Sequence, residues 1–321
     1  MGGEWMVIGL ERSGREVTED YYDNVVAYVK ENINEKEQLH KRKSTDNSRV
    51  ILALTAAGYD PTDVDGHNLL EGLTDMDYVT WQGNNGAMFA LLAFDSHDYE
   101  IPAAEEGADQ VTREKLVEEI LRVQLENGGW ALSGTKSDVD MTGMAIQALA
   151  PYYETNEDVK AAVDKALVYL SEAQLDNGGF SSIDGICAES CAQVIVALTA
   201  LGINPDTDER FVKNGTSVVD ALCQFYAGDG SFKHVPGAGK DAMATEQSYY
   251  ALASYFRFLN DETPLYDMSD VVFNEKENEG QKPDSEQAPG TGDNSSVILW
   301  ISMMMLAMGA AAVLMKKRKN A

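Results

Sequence analysis

The sequence predicts an all-α domain, an (α/α)6 toroid whose inner ring of apolar helices lies inside an outer ring of amphipathic ones. Three observations carry that expectation. A short element recurs every fifty residues: Gln124-Leu-Glu-Asn-Gly128-Gly129-Trp130, then Gln174-Leu-Asp-Asn-Gly178-Gly179-Phe180, then an expanded copy from Gln224 to Phe232. Amphipathic segments precede the copies. Segments that are apolar almost all round follow them, and a helix of that kind must bury most of its sides.

In chain order, the inner helices are marked by Leu10, Leu54, Leu91, Leu149, Leu198 and Leu252. Val50-Ile-Leu-Ala-Leu-Thr-Ala-Ala, Met88-Phe-Ala-Leu-Leu-Ala-Phe and Val194-Ile-Val-Ala-Leu-Thr-Ala-Leu show the uniform apolarity. Gly14, Gly58 and Gly202 stand where left-handed C-terminal residues end helices, and Pro61 and Pro205 follow soon after. The outer helices are read from apolar residues three and four apart: Leu116, Ile120 and Val123; Val159, Val163, Leu167 and Leu170; Val218, Leu222 and Phe225. Six inner helices result, with the last outer one short or missing. The toroid is expected over residues 1–266. With 44% apolar residues, the chain can fill such a core.

Residues 267–290 are polar and acidic without apolar periodicity, which reads as a disordered spacer. Residues 297–315 hold no charge. Such a span, at about 1.5 Å per residue, is roughly 28 Å long and matches a bilayer's hydrocarbon core. Lys316, Lys317, Arg318 and Lys319 follow and would stay cytoplasmic. Ahead of this transmembrane helix, Ala288-Pro289-Gly290-Thr291-Gly292 resembles the Leu-Pro-x-Thr-Gly sorting pentapeptide of bacterial surface proteins, with Ala in place of the leading Leu. Motif, apolar span and basic tail, in that order over 288–321, make up a cell-wall sorting signal. The resemblance implies that a sortase cleaves between Thr291 and Gly292 and joins Thr291 covalently to peptidoglycan. Until then the C-terminal helix holds the precursor in the membrane. The expected location is the outer surface of a Gram-positive-type bacterium, and a plain single-pass anchor is the alternative. The apolar run at Trp5–Leu10 is short and no basic region precedes it, so export implies a signal upstream of Met1 or a different start.

Charge narrows the partners. The chain carries 53 Asp and Glu against 25 Lys and Arg, a surface that repels phosphate backbones and excludes nucleic acid. The three cysteines, Cys187, Cys191 and Cys223, are odd in number and read as small buried thiols, not as a disulfide framework.

The Gln-x-x-x-Gly-x-Trp pattern at Gln124 to Trp130 is similar to the repeat of squalene–hopene cyclases. Residues 1–260 resemble the terpenoid cyclase and protein prenyltransferase superfamily, more narrowly its bacterial surface members. The resemblance implies structural roles for Gln124, Trp130, Gln174, Phe180 and Gln224: the Gln caps a helix end and the aromatic packs beneath the next turn. It also implies sites. Class II cyclases protonate an alkene with the middle Asp of Asp-x-Asp-Asp-Thr. Asp138-Val139-Asp140-Met141-Thr142 aligns Asp140 with that acid and Asp138 beside it, with Met141 in place of the third Asp. Either Asp can instead cap the inner helix and face its positive end. Prenyltransferases hold zinc with Asp-x-Cys and a later His. Here Glu189, Cys191 and Glu246 stand at similar places, a Glu/Cys/Glu set that zinc disfavours. The animal cobalamin carriers share the helical architecture and trap their ligand against it.

Polar residues gather just before the inner helices: Asp46-Asn47-Ser48; Trp81, Gln82, Asn84 and Asn85; Asp138, Asp140 and Thr142; Glu189-Ser190; Thr245, Glu246 and Gln247. Parallel inner helices would bring them to one mouth, a concave, carboxylate-rich pocket over positive helix ends, with Trp81, Tyr249 and Tyr250 as stacking faces. The expected function is therefore capture of a small ligand or a partner by a surface-anchored binding module, with cobalamin or a divalent cation as candidate cofactors. A cyclase-like enzyme using Asp140 as general acid is the alternative, and a passive spacer the third reading.

Overall fold

The computed structural model describes residues 2–18, 20–182 and 185–274. Most of the expected spacer, the sorting residues Pro289, Thr291 and Gly292, and the apolar span at 297–315 lie outside the described residues. No helix among the described residues is long and apolar enough to cross a membrane.

Eleven α-helices organise the described chain: α1 (Glu4–Arg12), α2 (Asp20–Asn32), α3 (Ser44–Ala56), α4 (Met76–Thr80), α5 (Asn84–Asp95), α6 (Arg113–Arg122), α7 (Val139–Leu149), α8 (Glu157–Ala173), α9 (Ala188–Ala200), α10 (Val218–Cys223) and α11 (Ala242–Leu259). All six leucines that mark inner helices fall on odd-numbered elements. These pack in a cycle: α1 on α3, α3 on α5, α5 on α7, α7 on α9, α9 on α11, and α11 back on α1. Their apolar sequences require this, since α3, α5 and α9 are buried along nearly their whole length. The even-numbered helices α6, α8 and α10 each pack on the odd helix beside them and bury one stripe. In α8 that stripe includes Val159, Val163, Leu167 and Leu170, the residues read from spacing.

Pairings between neighbours show that α9, α11 and α1 run the same way. Gln193 on α9 donates to Gln247 near the start of α11, and further along Thr199 meets Ser254 at 2.7 Å. Gln147 on α7 donates to Gln193. The Trp5 and Tyr250 rings lie 5.7 Å apart, and one helical turn or two later Arg257 donates to the Arg12 carbonyl. Glycine permits the closest approach: a Cβ at Gly9 of α1 would stand 3.0 Å from the Tyr250 backbone nitrogen.

Three inner helices end alike. Gly14, Gly58 and Gly202 adopt φ of 74°, 74° and 70°. The following amides of Arg15, Tyr59 and Ile203 return to the carbonyls of Leu10, Leu54 and Leu198. α5 and α11 end the same way with Asp98 and Asp261 in the left-handed position.

The structure departs from the sequence reading in three places. First, three short antiparallel hairpins join the helices: β1 (Ser181–Ser182) with β2 (Gly185–Ile186), β3 (Val212–Lys213) with β4 (Thr216–Ser217), and β5 (Phe232–Lys233) with β6 (Lys240–Asp241). Second, the chain does not leave the domain at 266. Arg12 is buried and donates to the Leu265 and Asp267 carbonyls and to Asp270. Arg257 donates to the same Asp270 carboxylate. Met268 is buried, its amide bonded to the Ser96 carbonyl, and the Asn274 amide reaches the Gly58 carbonyl. Two buried guanidinium groups need anionic and carbonyl partners, and residues 265–270 supply them. Third, Gln224 is exposed, unlike its two counterparts. The Gln124 and Gln174 amides reach carbonyls belonging to the next outer unit, Ala162 and Phe211. Among the described residues no outer helix follows α10's repeat to offer Gln224 the same partner.

Candidate functional site

The three repeats build the amino ends of α7, α9 and α11 by one rule, and it separates structural residues from free ones. In the first copy Trp130 is fully buried and its indole donates to the Ile120 carbonyl at 2.7 Å. Its backbone amide donates to Thr142 Oγ1 at 3.0 Å, and its carbonyl accepts from the Asp138 amide at 2.7 Å. The Asp138 carboxylate then accepts from the Met141 amide as N-cap. In the third copy Phe232 donates to Thr245 Oγ1 at 3.0 Å, pairs with Asp241, and Asp241 caps through the Ala244 amide. In the second copy the buried Phe180 accepts from the Cys187 amide at 3.2 Å, and Cys191 stands against the Phe180 backbone.

Positions 138, 187 and 241 are thus equivalent, as are 142, 191 and 245. Asp138 and Thr142 are accounted for by capping. Cys191 occupies the threonine position, facing the backbone, and burial pushes its thiol up to about 12. Among the described residues the potential metal ligands that converge are Cys187, Glu189 and His234, and neither Cys191 nor Glu246 joins them. The buried-thiol reading holds for Cys187 and Cys191, whereas Cys223 is exposed.

Asp140 lies outside the capping rule. Burial pushes its carboxyl up to about 6; a hydrogen bond from Ser190 and the His234 ring oppose this, while Asp138 and Glu189 add to it. Its Oδ1 is buried without a hydrogen-bond partner. Two further buried oxygens share that condition on neighbouring amino ends, Glu4 Oε2 at the start of α1 and Asn85 Oδ1 at the start of α5. Buried polar atoms are rarely left so, and a solvent molecule or ligand normally satisfies them. Glu4 is nearly fully buried, with Arg49 at 3.6 Å as its counter-ion, and Arg49 also holds Asp46 at 2.8 Å. Glu246 has its carboxyl raised by burial and by Glu4, with Arg49 opposing.

Beneath these groups lies an aromatic floor. Trp5 packs 5.5 Å from Phe89 and 5.7 Å from Tyr250. Phe89 lies one turn along α5 from Asn85, and Tyr250 one turn along α11 from Glu246, so each aromatic shares a helix face with a polar residue above it. Gln193 donates to the Tyr250 hydroxyl and to Gln247. At the end where a concave pocket is expected, Trp5 packs between Phe89 and Tyr250. A cleft of about 520 Å³ opens beside Glu100, Gln110 and Arg113, and one of about 260 Å³ beside Thr199, Ser254 and Phe258.

The remaining expected pocket residues divide. Gln82 accepts from Thr45 at 2.9 Å and Asn84 donates to the Ala131 carbonyl at 2.8 Å, so both tie neighbouring loops. Trp81 is 66% exposed with the Arg42 guanidinium over its ring, and Leu132 and Met243 are exposed before α7 and at the start of α11. Tyr249 packs edge-on to Phe232, and Tyr250 is buried in the floor, so neither is an open stacking face. The sequence reading missed Glu4, Arg49, Cys187 and His234. For Glu4 a signal existed: a lone carboxylate opening an apolar helix. For His234 the only hint was its position two residues past the aromatic of the third repeat.

No family model matches the chain, and no curated protein matches it.

Proposed function

We propose that this chain is a ligand-binding (α/α)6 toroid of the terpenoid cyclase and prenyltransferase type, displayed outside the cell and held there by its C-terminal sorting signal. One observation carries the binding reading: two buried oxygens without a hydrogen-bond partner, on Asn85 and Asp140, and a third, on Glu4, held only by the Arg49 ion pair at 3.6 Å, stand on the first turns of three inner helices. They are all acceptors, so the ligand they suit presents N–H or O–H donors. Trp5, half-buried over Phe89 and Tyr250, offers an apolar edge beside those acceptors. Exposed Trp81, Leu132 and Met243 offer further contact around the same end. Display supports this use. The described chain departs at Asn274 beside the carboxyl ends of α3 and α5, opposite the proposed site, so a sortase joining Thr291 to peptidoglycan would leave the site facing away from the wall.

The test is thermal shift of the full-length chain against cobalamins, amine-bearing wall fragments and peptides. A true ligand raises the melting temperature in proportion to ln(1 + [L]/Kd). Asn85→Leu and Glu246→Gln should reduce that shift, and Cys223→Ser should not. No stabilisation by any compound, or equal shifts in all variants, would defeat the reading. Retention of tagged chain in the cytosol would defeat display.

A second reading has one observation in its favour. Asp140, raised to about 6, retains its proton further towards neutrality than an ordinary carboxyl, as a general acid does. Turnover of a polyprenyl substrate that is lost in Asp140→Asn would establish it.

A further inference from the structure

We propose that Cys187, Glu189 and His234 form a binding site for a zinc-class divalent cation at the amino end of α9. The three offer one sulfur, one carboxylate oxygen and one ring nitrogen, all within 4.8 Å of one another. Zinc bonds of about 2.0–2.3 Å place tetrahedral co-ligands roughly 3.3–3.7 Å apart, so side-chain adjustments of about 1 Å complete the geometry. His234 Nδ1 and Glu189 Oε2 already meet at 2.8 Å. Borderline N, O and S donors in one set favour zinc over magnesium or calcium, which take oxygen alone.

Comparison of the repeats shows why this site is built and not incidental. At the equivalent positions of α7 and α11, Asp138 and Asp241 accept capping amides. Cys187 replaces that aspartate, makes no side-chain capping bond, and lies 3.1 Å from Ser190 Oγ. The position has exchanged a capping group for a sulfur ligand. His234 is held independently: its carbonyl accepts the Ala188 amide at 3.0 Å, so backbone as well as ring fixes it over the first turn of α9. The trio is enclosed, with Cys187 and Glu189 buried and His234 partly so. Among the described residues the site offers three protein ligands, and tetrahedral zinc takes a fourth from the protein, water or an exogenous group. Ser190 hydrogen-bonds Asp140 and lies 3.1 Å from Cys187, so a single side chain separates the Asp140 carboxyl from the trio. The site does not require surface display or the donor-bearing ligand, and it stands if either fails.

The experiment uses full-length chain stripped with chelator and exchanged into reducing, metal-free buffer. Zinc is titrated against a chromophoric competitor, and Co²⁺ is added separately to read ligation by absorbance. The expected result is one metal per chain and a cobalt spectrum with thiolate charge transfer and strong four-coordinate visible bands. Cys187→Ser should abolish the charge transfer, and it and His234→Ala should each weaken zinc binding by more than about tenfold. Cys223→Ser should change neither. Failure to bind stoichiometrically, a spectrum without thiolate ligation, or a loss in Cys223→Ser alone overturns the proposal. Circular dichroism checks folding of each variant; if Cys187→Ser unfolds, the cobalt spectrum of the unmutated chain decides.

Discussion

Gln124 and Gln174, fifty residues apart, make the same two hydrogen bonds. Each side-chain amide donates at 2.8 Å to the glycine carbonyl four residues on, Gly128 or Gly178, and at 2.8 Å to a carbonyl of the next outer unit. Each therefore pins a turn to its neighbour. Gln174 is the more buried, and its loss strands two carbonyls. Gln174→Ala should destabilise by about 1–3 kcal/mol in urea unfolding. Gln224→Ala, at the exposed third copy, should stay within about 0.5 kcal/mol. Equal effects at the two positions would contradict the assignment.

Asp140 makes stability depend on pH. Its native carboxyl is raised by burial to about 6, so between the ordinary carboxylate range and about 6 the folded chain holds a proton that the unfolded chain has lost. Stability from this group therefore falls as pH rises through that window and levels off above it. Asp140→Asn should flatten that part of the profile and stabilise the protein at pH 7. Urea midpoints from pH 4 to 8 measure it, and a midpoint for Asp140→Asn below wild type at pH 7 would oppose the account.

Asp261 ends α11 in the left-handed conformation at φ 55°, a place that Gly14, Gly58 and Gly202 fill elsewhere. Its exposed side chain makes no hydrogen bond among the described residues. Asp261→Gly should stabilise by up to about 1 kcal/mol, read from the denaturation midpoint. Asp261→Val should do the reverse.

Arg12 is 3% exposed and donates to Asp270, to Thr263 and to three carbonyls. Arg12→Ala leaves these acceptors stranded and Arg257 with a weakened partner, and should cost about 3–5 kcal/mol. Limited proteolysis should then cut within residues 263–274 before other sites. Burial pushes the Asp270 carboxyl up, but Arg12 and Arg257 outweigh it and hold it low, so the clasp's contribution is lost as pH falls through the acidic range.

Helix order was legible because Leu10 to Leu252 mark segments whose burial follows from composition alone. The repeat glutamines and aromatics were legible because their spacing is fixed. The site was less so. Asp140 and Glu189 could be named, since carboxylates at the head of an apolar helix are conspicuous. His234 could not: it reaches Glu189 only because the β5–β6 hairpin folds back across α9, and sequence distance hides that approach. Cys191 misled for a related reason. Only the equivalence with Thr142 and Thr245 shows that its sulfur faces a backbone amide, while the ligand-like cysteine is Cys187.

The strap at 263–274 has a mechanical meaning. Tension entering the domain from beyond Asn274 first meets the amide bonds to Gly58 and Ser96 and then Asp270, gripped from two sides by Arg12 and Arg257. Those arginines belong to the first and last helices of the cycle, so the pull is shared across the seam where the cycle joins. A pull on this strap is therefore borne by α1 and α11 together.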